Sequence, residues 1–229
     1  MNTAEAKQIL DKVIGQVFGY QNPLSLEQAM QKFAFDIRLP QQVHDSTDGS
    51  ITWAQSINPT KFIKQENART DERGLRPTRP LNSMQDILEA WGEINYTTTE
   101  RQNNSINVSQ SDNVYNSQNI FRSQDIRNCK NILFSDGVHN SEFMVASQRC
   151  GYNAFCIRVE DSSEISNSFA VSWCGKVTNC FFLHDCGDMQ DSMFCTNMKG
   201  GRFCIANMQF DEAEYRRLRD MVVRWILTE

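Results

Sequence analysis

From Asn104 to Asp211 the chain repeats a twelve-residue unit nine times without insertion or deletion. The first four copies, NSINVSQSDNVY, NSQNIFRSQDIR, NCKNILFSDGVH and NSEFMVASQRCG, show the unit most cleanly. Stacked in register, the second, fifth, eighth and eleventh columns are mostly small or apolar, as in Ile120, Ile132, Met144 and Cys156 or in Val114, Ile126, Val138 and Cys150. The columns between them are largely polar. A short repeat of fixed length means a solenoid, in which each unit buries its face against its neighbours. The fold class expected is mainly β, a twelve-residue-repeat β-solenoid (β-helix) with a helical N-terminal segment and a C-terminal capping helix. At the spacing of parallel strands, about 4.8 Å, nine rungs form a rod on the order of 40 Å long.

Four segments are expected. Residues 1–40 form a helical N-terminal segment, with Ile9, Leu10, Val13, Ile14, Val17 and Phe18 on one helical face. Ser25 and Gln28 then make a capping box for a second helix that carries Met30, Phe33 and Ile37 and ends before Pro40. Residues 41–103 are an extended, irregular connector: HDSTDGS and TDERGLRPTRPLNS are loops, SITWAQ is a short strand, and Ser83 opens a short helix with Ile87, Leu88 and Trp91 on its apolar side. A long segment of this kind usually wraps another surface. Residues 104–211 are the solenoid. Residues 212–229 are the capping helix, where Asp211 and Glu214 supply the N-cap and Tyr215, Leu218, Met221, Val222, Trp225 and Ile226 the face that seals the last rung. Arg216, Arg217, Arg219 and Arg224 fall on its solvated faces.

Composition narrows the function. A net charge of -5 speaks against a nucleic-acid partner, and the chain holds no apolar run long enough to span a membrane. The first twenty residues do not read as a signal peptide. All eight cysteines lie inside the repeat, at 129, 150, 156, 174, 180, 186, 195 and 204, and are read as small buried residues with free thiols.

Catalytic and metal chemistry find little footing. His44, His139 and His184 show no metal-ligand spacing. His184, Asp185 and Cys186 are neighbours along a strand, so their side chains diverge, and Cys186 belongs to an inward column. The spacing of Cys174, Cys180 and Cys186 is half a rung rather than that of a zinc site. Asp45, Asp48 and Gly49 are too sparse for a calcium loop. The carboxylates Asp125, Asp136, Glu160, Asp161 and Asp185 are scattered along outward columns rather than paired. No enzyme activity, cofactor or metal is expected.

Column six carries the expected binding face: Phe121, Leu133, Val145, Ile157, Phe169, Phe181, Met193 and Ile205. If column five points inward, its neighbour points outward, and a continuous apolar stripe results. Its cover is either the chain's own N-terminal segment or another protein subunit, and the latter is the site expectation. The asparagines of column one (Asn104, Asn116, Asn128, Asn140) and column four (Asn107, Asn119, Asn131) read as stacked amide ladders.

The inward columns resemble the twelve-residue β-helix of beetle antifreeze proteins, with Ser or Cys at corresponding places, as in Cys129 and Ser111. That family's ice-binding threonines have no counterpart here, where Asn104 and Ile106, Asn116 and Gln118, and Asn128 and Lys130 flank column two. Segments such as TNCFFLHDC and FCIANMQFDEAEY also resemble uncharacterised repeat proteins of phage genomes and small-genome bacteria, with Cys204, Ile205, Asn207, Gln209, Phe210, Glu214 and Tyr215 at matching positions. The resemblance covers about residues 104–227. It implies a virion or host-cytoplasm setting. The expected function is therefore a non-enzymatic structural or assembly protein, such as a capsid decoration, vertex or tail-associated subunit, whose partners are other protein subunits (itself or virion proteins). The alternative is a solenoid module that recognises a glycan or other polymer.

Overall fold

The computed structural model describes residues 1–57, 61–68 and 75–228. Residues 70–74 of the charged loop expected before Ser83 lie outside that set. Between Gln102 and Gln209 the chain winds into a β-solenoid of about nine turns, in which strands pair in parallel with a shift of twelve residues, as Lys130↔Glu142, Ile132↔Met144 and Leu133↔Val145 show.

The turn of the solenoid has one rule. Every third residue from Asn104 to Ala206 has a positive φ, between roughly 44° and 74°. These are columns one, four, seven and ten, so each turn has four left-handed corners. Asn and Asp tolerate that conformation best among residues with a side chain, which accounts for their abundance there. Yet the same corners also hold Phe143, Ala146, Arg149 and Trp173. Columns two, five, eight and eleven then point inward and are buried through the middle of the rod.

Inward polar side chains bind the rungs to one another. The hydroxyl of Ser123 donates to the carbonyl of Phe121 (2.9 Å) and accepts the N–H of Ser135 in the next rung (3.1 Å). Ser111 and Ser135 repeat the pattern on Ser123 and Ser147, and Ser117 receives the N–H of Cys129. Asn153 serves the N–H of Ile165 with its side-chain carbonyl (2.9 Å). These backbone N–H groups are inside the rod, away from water, where an unmade bond costs about 1–3 kcal/mol. Small polar residues in the core are therefore structural bonds rather than poor packing.

Cysteine takes the same place. The thiols of Cys129, Cys156, Cys174 and Cys180 each lie 3.1–3.3 Å from the carbonyl two residues earlier, as serine hydroxyls do, and Cys174 Sγ accepts the N–H of Cys186. All eight cysteines are free and buried.

Both ends of the rod are closed. At the N-terminal end, β1 (Gln41–His44) pairs antiparallel with β2 (Ile51–Ala54), β3 (Phe62–Lys64) runs parallel to β4 (Thr97–Thr99), and β5 (Gln102–Asn103) joins the stack beside Val114 and Tyr115. Asp45 holds this unit together: its buried carboxylate accepts from the Thr47 N–H and hydroxyl, the Lys64 N–H and the Asn67 amide. Burial pushes the carboxyl up, but these four bonds outweigh it and hold it far below the usual carboxylate range. Asp112, wholly buried in the first rung, accepts from the Arg101 guanidinium and N–H and from the Gln55 N–H. The connector thus caps its own chain.

The C-terminal end departs from expectation. The last rung is closed by an antiparallel turn, Cys204–Ile205 against Met208–Gln209, with Asn207 bonding both the N–H and the carbonyl of Thr196. Helix α4 (Glu212–Thr228), capped by Asp211 as expected, lies along the side of the rod instead of across its end. Its buried face is Tyr215, Val223, Ile226 and Leu227, while Met221 and Trp225 are exposed.

Burial pushes the thiols of Cys129 up to about 11 and of Cys150 and Cys156 up to about 12, so thiolate is scarce at neutral pH. The eight cysteines should resist alkylation by iodoacetamide in the native protein and all react after denaturation, as mass spectrometry of the two samples will show.

Candidate functional site

The eight side chains of column six do point out of the solenoid, but they are not at the protein surface. Phe121, Leu133, Val145, Ile157, Phe169, Phe181 and Met193 are buried, and Ile205 is partly buried against the same cluster. Their cover is intramolecular. Helix α1 (Thr3–Phe18) lays Ile9, Leu10, Val13, Ile14, Val17 and Phe18 along the stripe, helix α2 (Leu26–Phe33) adds Ala29 and Phe33, and α4 closes the far end. Phe18 meets Phe169 and Phe181 edge-on at 5.3 and 5.6 Å, and Phe33 meets Phe169 at 5.7 Å. The expectation of a partner-binding stripe is corrected here: an apolar row along the rod and an amphipathic helix in the same chain satisfy each other.

Caps and charges fix these helices in place. Asn2 and Glu5 form a capping box on α1, and Ser25 and Gln28 form the expected one on α2. Helix α2 ends at Phe33, well before Pro40, and Arg158 from a solenoid corner takes the Phe33 carbonyl (2.5 Å) and the Asp36 carboxylate (2.8 and 2.9 Å). Arg219 of α4 reaches the Val17 and Phe18 carbonyls at the end of α1 and sits 5.0 Å over the Phe181 ring. Arg219 is thus a C-terminal cap for α1, not part of a solvated face.

The side chains weighed for catalysis have other partners in the structure. His184 bonds the Ser172 hydroxyl through its ring and lies beside Trp173. Cys186 is buried and its thiol faces the backbone carbonyl of His184. Glu160 and Asp161 are both engaged by Arg149. Among the described residues, no group of three or more His, Cys, Asp or Glu side chains could hold a metal ion, and no helix is long and apolar enough to cross a membrane. Comparison with protein-family models, with curated proteins and with solved structures finds no match.

Among the described residues, the apolar side of one helix is left uncovered. Helix α3 (Met84–Ile94) has the expected Ser83 cap, shared with Asp86, but buries no residue. Met84, Ile87, Leu88, Trp91 and Ile94 are between 44% and 67% exposed. An eleven-residue helix is marginal in water without packing. Here Glu93, bonded to Arg76 and Arg79, and Lys61, bonded to the Gly92 carbonyl, tether it instead. A smaller apolar cleft of about 470 Å³ lies where α2, α4 and the solenoid meet, lined by Phe33, Phe35, Phe169, Phe182 and Trp225.

These placements separate two apolar surfaces by a direct test. Phe169→Asp puts a carboxylate into the helix–solenoid core at a cost of several kcal/mol and should give insoluble or unfolded protein. Trp91→Asp should leave the melting temperature within a degree or two of wild type, read by circular dichroism, because among the described residues Trp91 is half exposed and its helix buries no side chain.

Proposed function

We propose that the protein is a non-enzymatic assembly subunit: a rigid solenoid that offers α3 as a docking helix to another protein subunit. The observation that carries this reading is the exposed apolar face of α3. An amphipathic helix with five large apolar side chains in solvent is the form taken by segments that lie in a groove of a partner. Everything else in the fold is consistent with a scaffold, since the stripe that runs the length of the rod is spent on internal packing. The buried thiols, and the Glu160 and Asp161 carboxylates held by Arg149, are engaged within the chain, which supports a contact role. The virion placement, as a capsid decoration, vertex or tail-associated subunit, is the specific form of this reading that the repeat resemblance suggests.

The experiment is sedimentation of the native protein from the cells that make it. The wild-type chain should travel with assembled particles, and the double variant Leu88→Asp, Trp91→Asp should remain at the position of a free monomer with an unchanged circular dichroism spectrum. A wild-type protein found as a free monomer, or a double variant that still travels with particles, would overturn the proposal.

A further inference from the structure

The face of the rod between columns one and three is open. The helices lie on column six and the connector closes the N-terminal end, whereas a shallow groove runs along the rungs from Asn104 to Tyr152 with Asn116, Asn128 and Asn140 between them. We propose that this groove binds an extended β-1,4-linked hexopyranose chain, one sugar per rung. The site is separate from α3, and either can fail without the other.

The wall of the groove is a row of amides with unused bonding capacity. Asn104 donates to Asn116 (2.9 Å), Asn116 to Asn128 (3.3 Å) and Asn128 to Asn140 (3.2 Å). Each carboxamide has two N–H donors and two carbonyl lone pairs, and the ladder uses one of each on the inner members. The row therefore presents a repeated donor and acceptor at the rung spacing of about 4.8 Å. Sugar hydroxyls act as both donor and acceptor. A β-1,4-linked chain is extended and advances by nearly the same distance per ring with alternate rings turned over, so each ring reaches one rung and every second ring meets the amide row with the same edge. The α-1,4 linkage coils and loses that register.

The far end of the row is an aromatic platform, and it is built. Tyr152 takes the column-one position of the fifth rung and is 64% exposed. The His139 ring meets it edge-on at 5.7 Å and 86°. His139 can lie there because residue 151 is glycine: a Cβ at that position would come within 2.3 Å of the imidazole Nε2. An exposed ring held by a neighbour presents a flat apolar face bordered by a hydroxyl, which suits the apolar face of a pyranose. Gln118, Lys130 and Glu142 form the opposite wall with polar groups on successive rungs. From the first rung to the fifth is four steps, about 19 Å, so the groove accommodates five sugars.

Isothermal titration of the protein with cello-oligosaccharides of two to six sugars tests the proposal, with chitopentaose and maltopentaose as comparisons. Affinity should rise with each sugar up to five and then level off, and maltopentaose should not bind. Chitopentaose in place of cellopentaose would identify an N-acetylated chain as the preferred form. Tyr152→Ala and Asn128→Leu, both at exposed positions, should each weaken binding by at least about tenfold with unchanged circular dichroism. Failure of both pentasaccharides to bind, affinity independent of length, or binding untouched by the two substitutions would overturn the assignment.

Discussion

Everything in this protein follows from a left-handed corner at every third residue. Three residues make one side of the rung: a corner, an inward residue and an outward one. The corners bend the chain away from a continuous strand, and some inward N–H groups are then served by a side chain of the rung before, as in Ser123 to Ser135 and Cys174 to Cys186. That requirement selects Ser, Cys and Asn at the centre of a rod that would otherwise be filled with Ile and Val. It also explains why cysteine is plentiful without any disulfide: the thiol is a hydroxyl substitute with a larger apolar surface.

Because each rung is secured from the inside and by its neighbours, the outward columns are free to differ, and the chain uses them differently. Column six is given to an internal helical layer, in which α1, α2 and α4 form one core with the outward face of the rod, distinct from the core inside it. Arg158 and Arg219 link the two bodies at the ends of α2 and α1, where unpaired carbonyls would otherwise face the interface. Column one is left open with its amides in solvent. Helix α3 is tethered by the ion pairs of Glu93 with Arg76 and Arg79, and among the described residues its apolar face is exposed.

The sequence made the rungs legible because a twelve-residue period leaves one way to align Ile132 with Met144 and Cys156. Helix α1 was equally legible from its spacing, and the start of α2 from its capping box. The left-handed corners were visible only in part: Asn128 and Asn140 suit them, but Phe143 and Trp173 give no local sign of a positive φ, which the stack imposes. The cover of column six required matching two distant patterns, the Ile9–Phe18 face and the Phe121–Met193 stripe, and both were present in the sequence as unpaired apolar surfaces. Helix α4 misled for a different reason. Its pattern admits two overlapping faces, one through Met221 and Trp225 and one through Val223 and Leu227, and the choice between them depends on where the helix docks. The open groove had its residues in plain view, but Tyr152 joins the asparagine row only once the fifth rung is stacked on the fourth.

The central claim is that helix α1 and the solenoid are one folded unit, closed over column six. Native-state hydrogen exchange with residue resolution tests it most directly. The account predicts that the amides of Leu10, Val13 and Ile14 exchange only as slowly as those of Ile132 and Met144, with the same opening free energy. Exchange in α1 that is orders of magnitude faster, while the rungs stay protected, would show that the helix opens on its own and that column six is a surface after all.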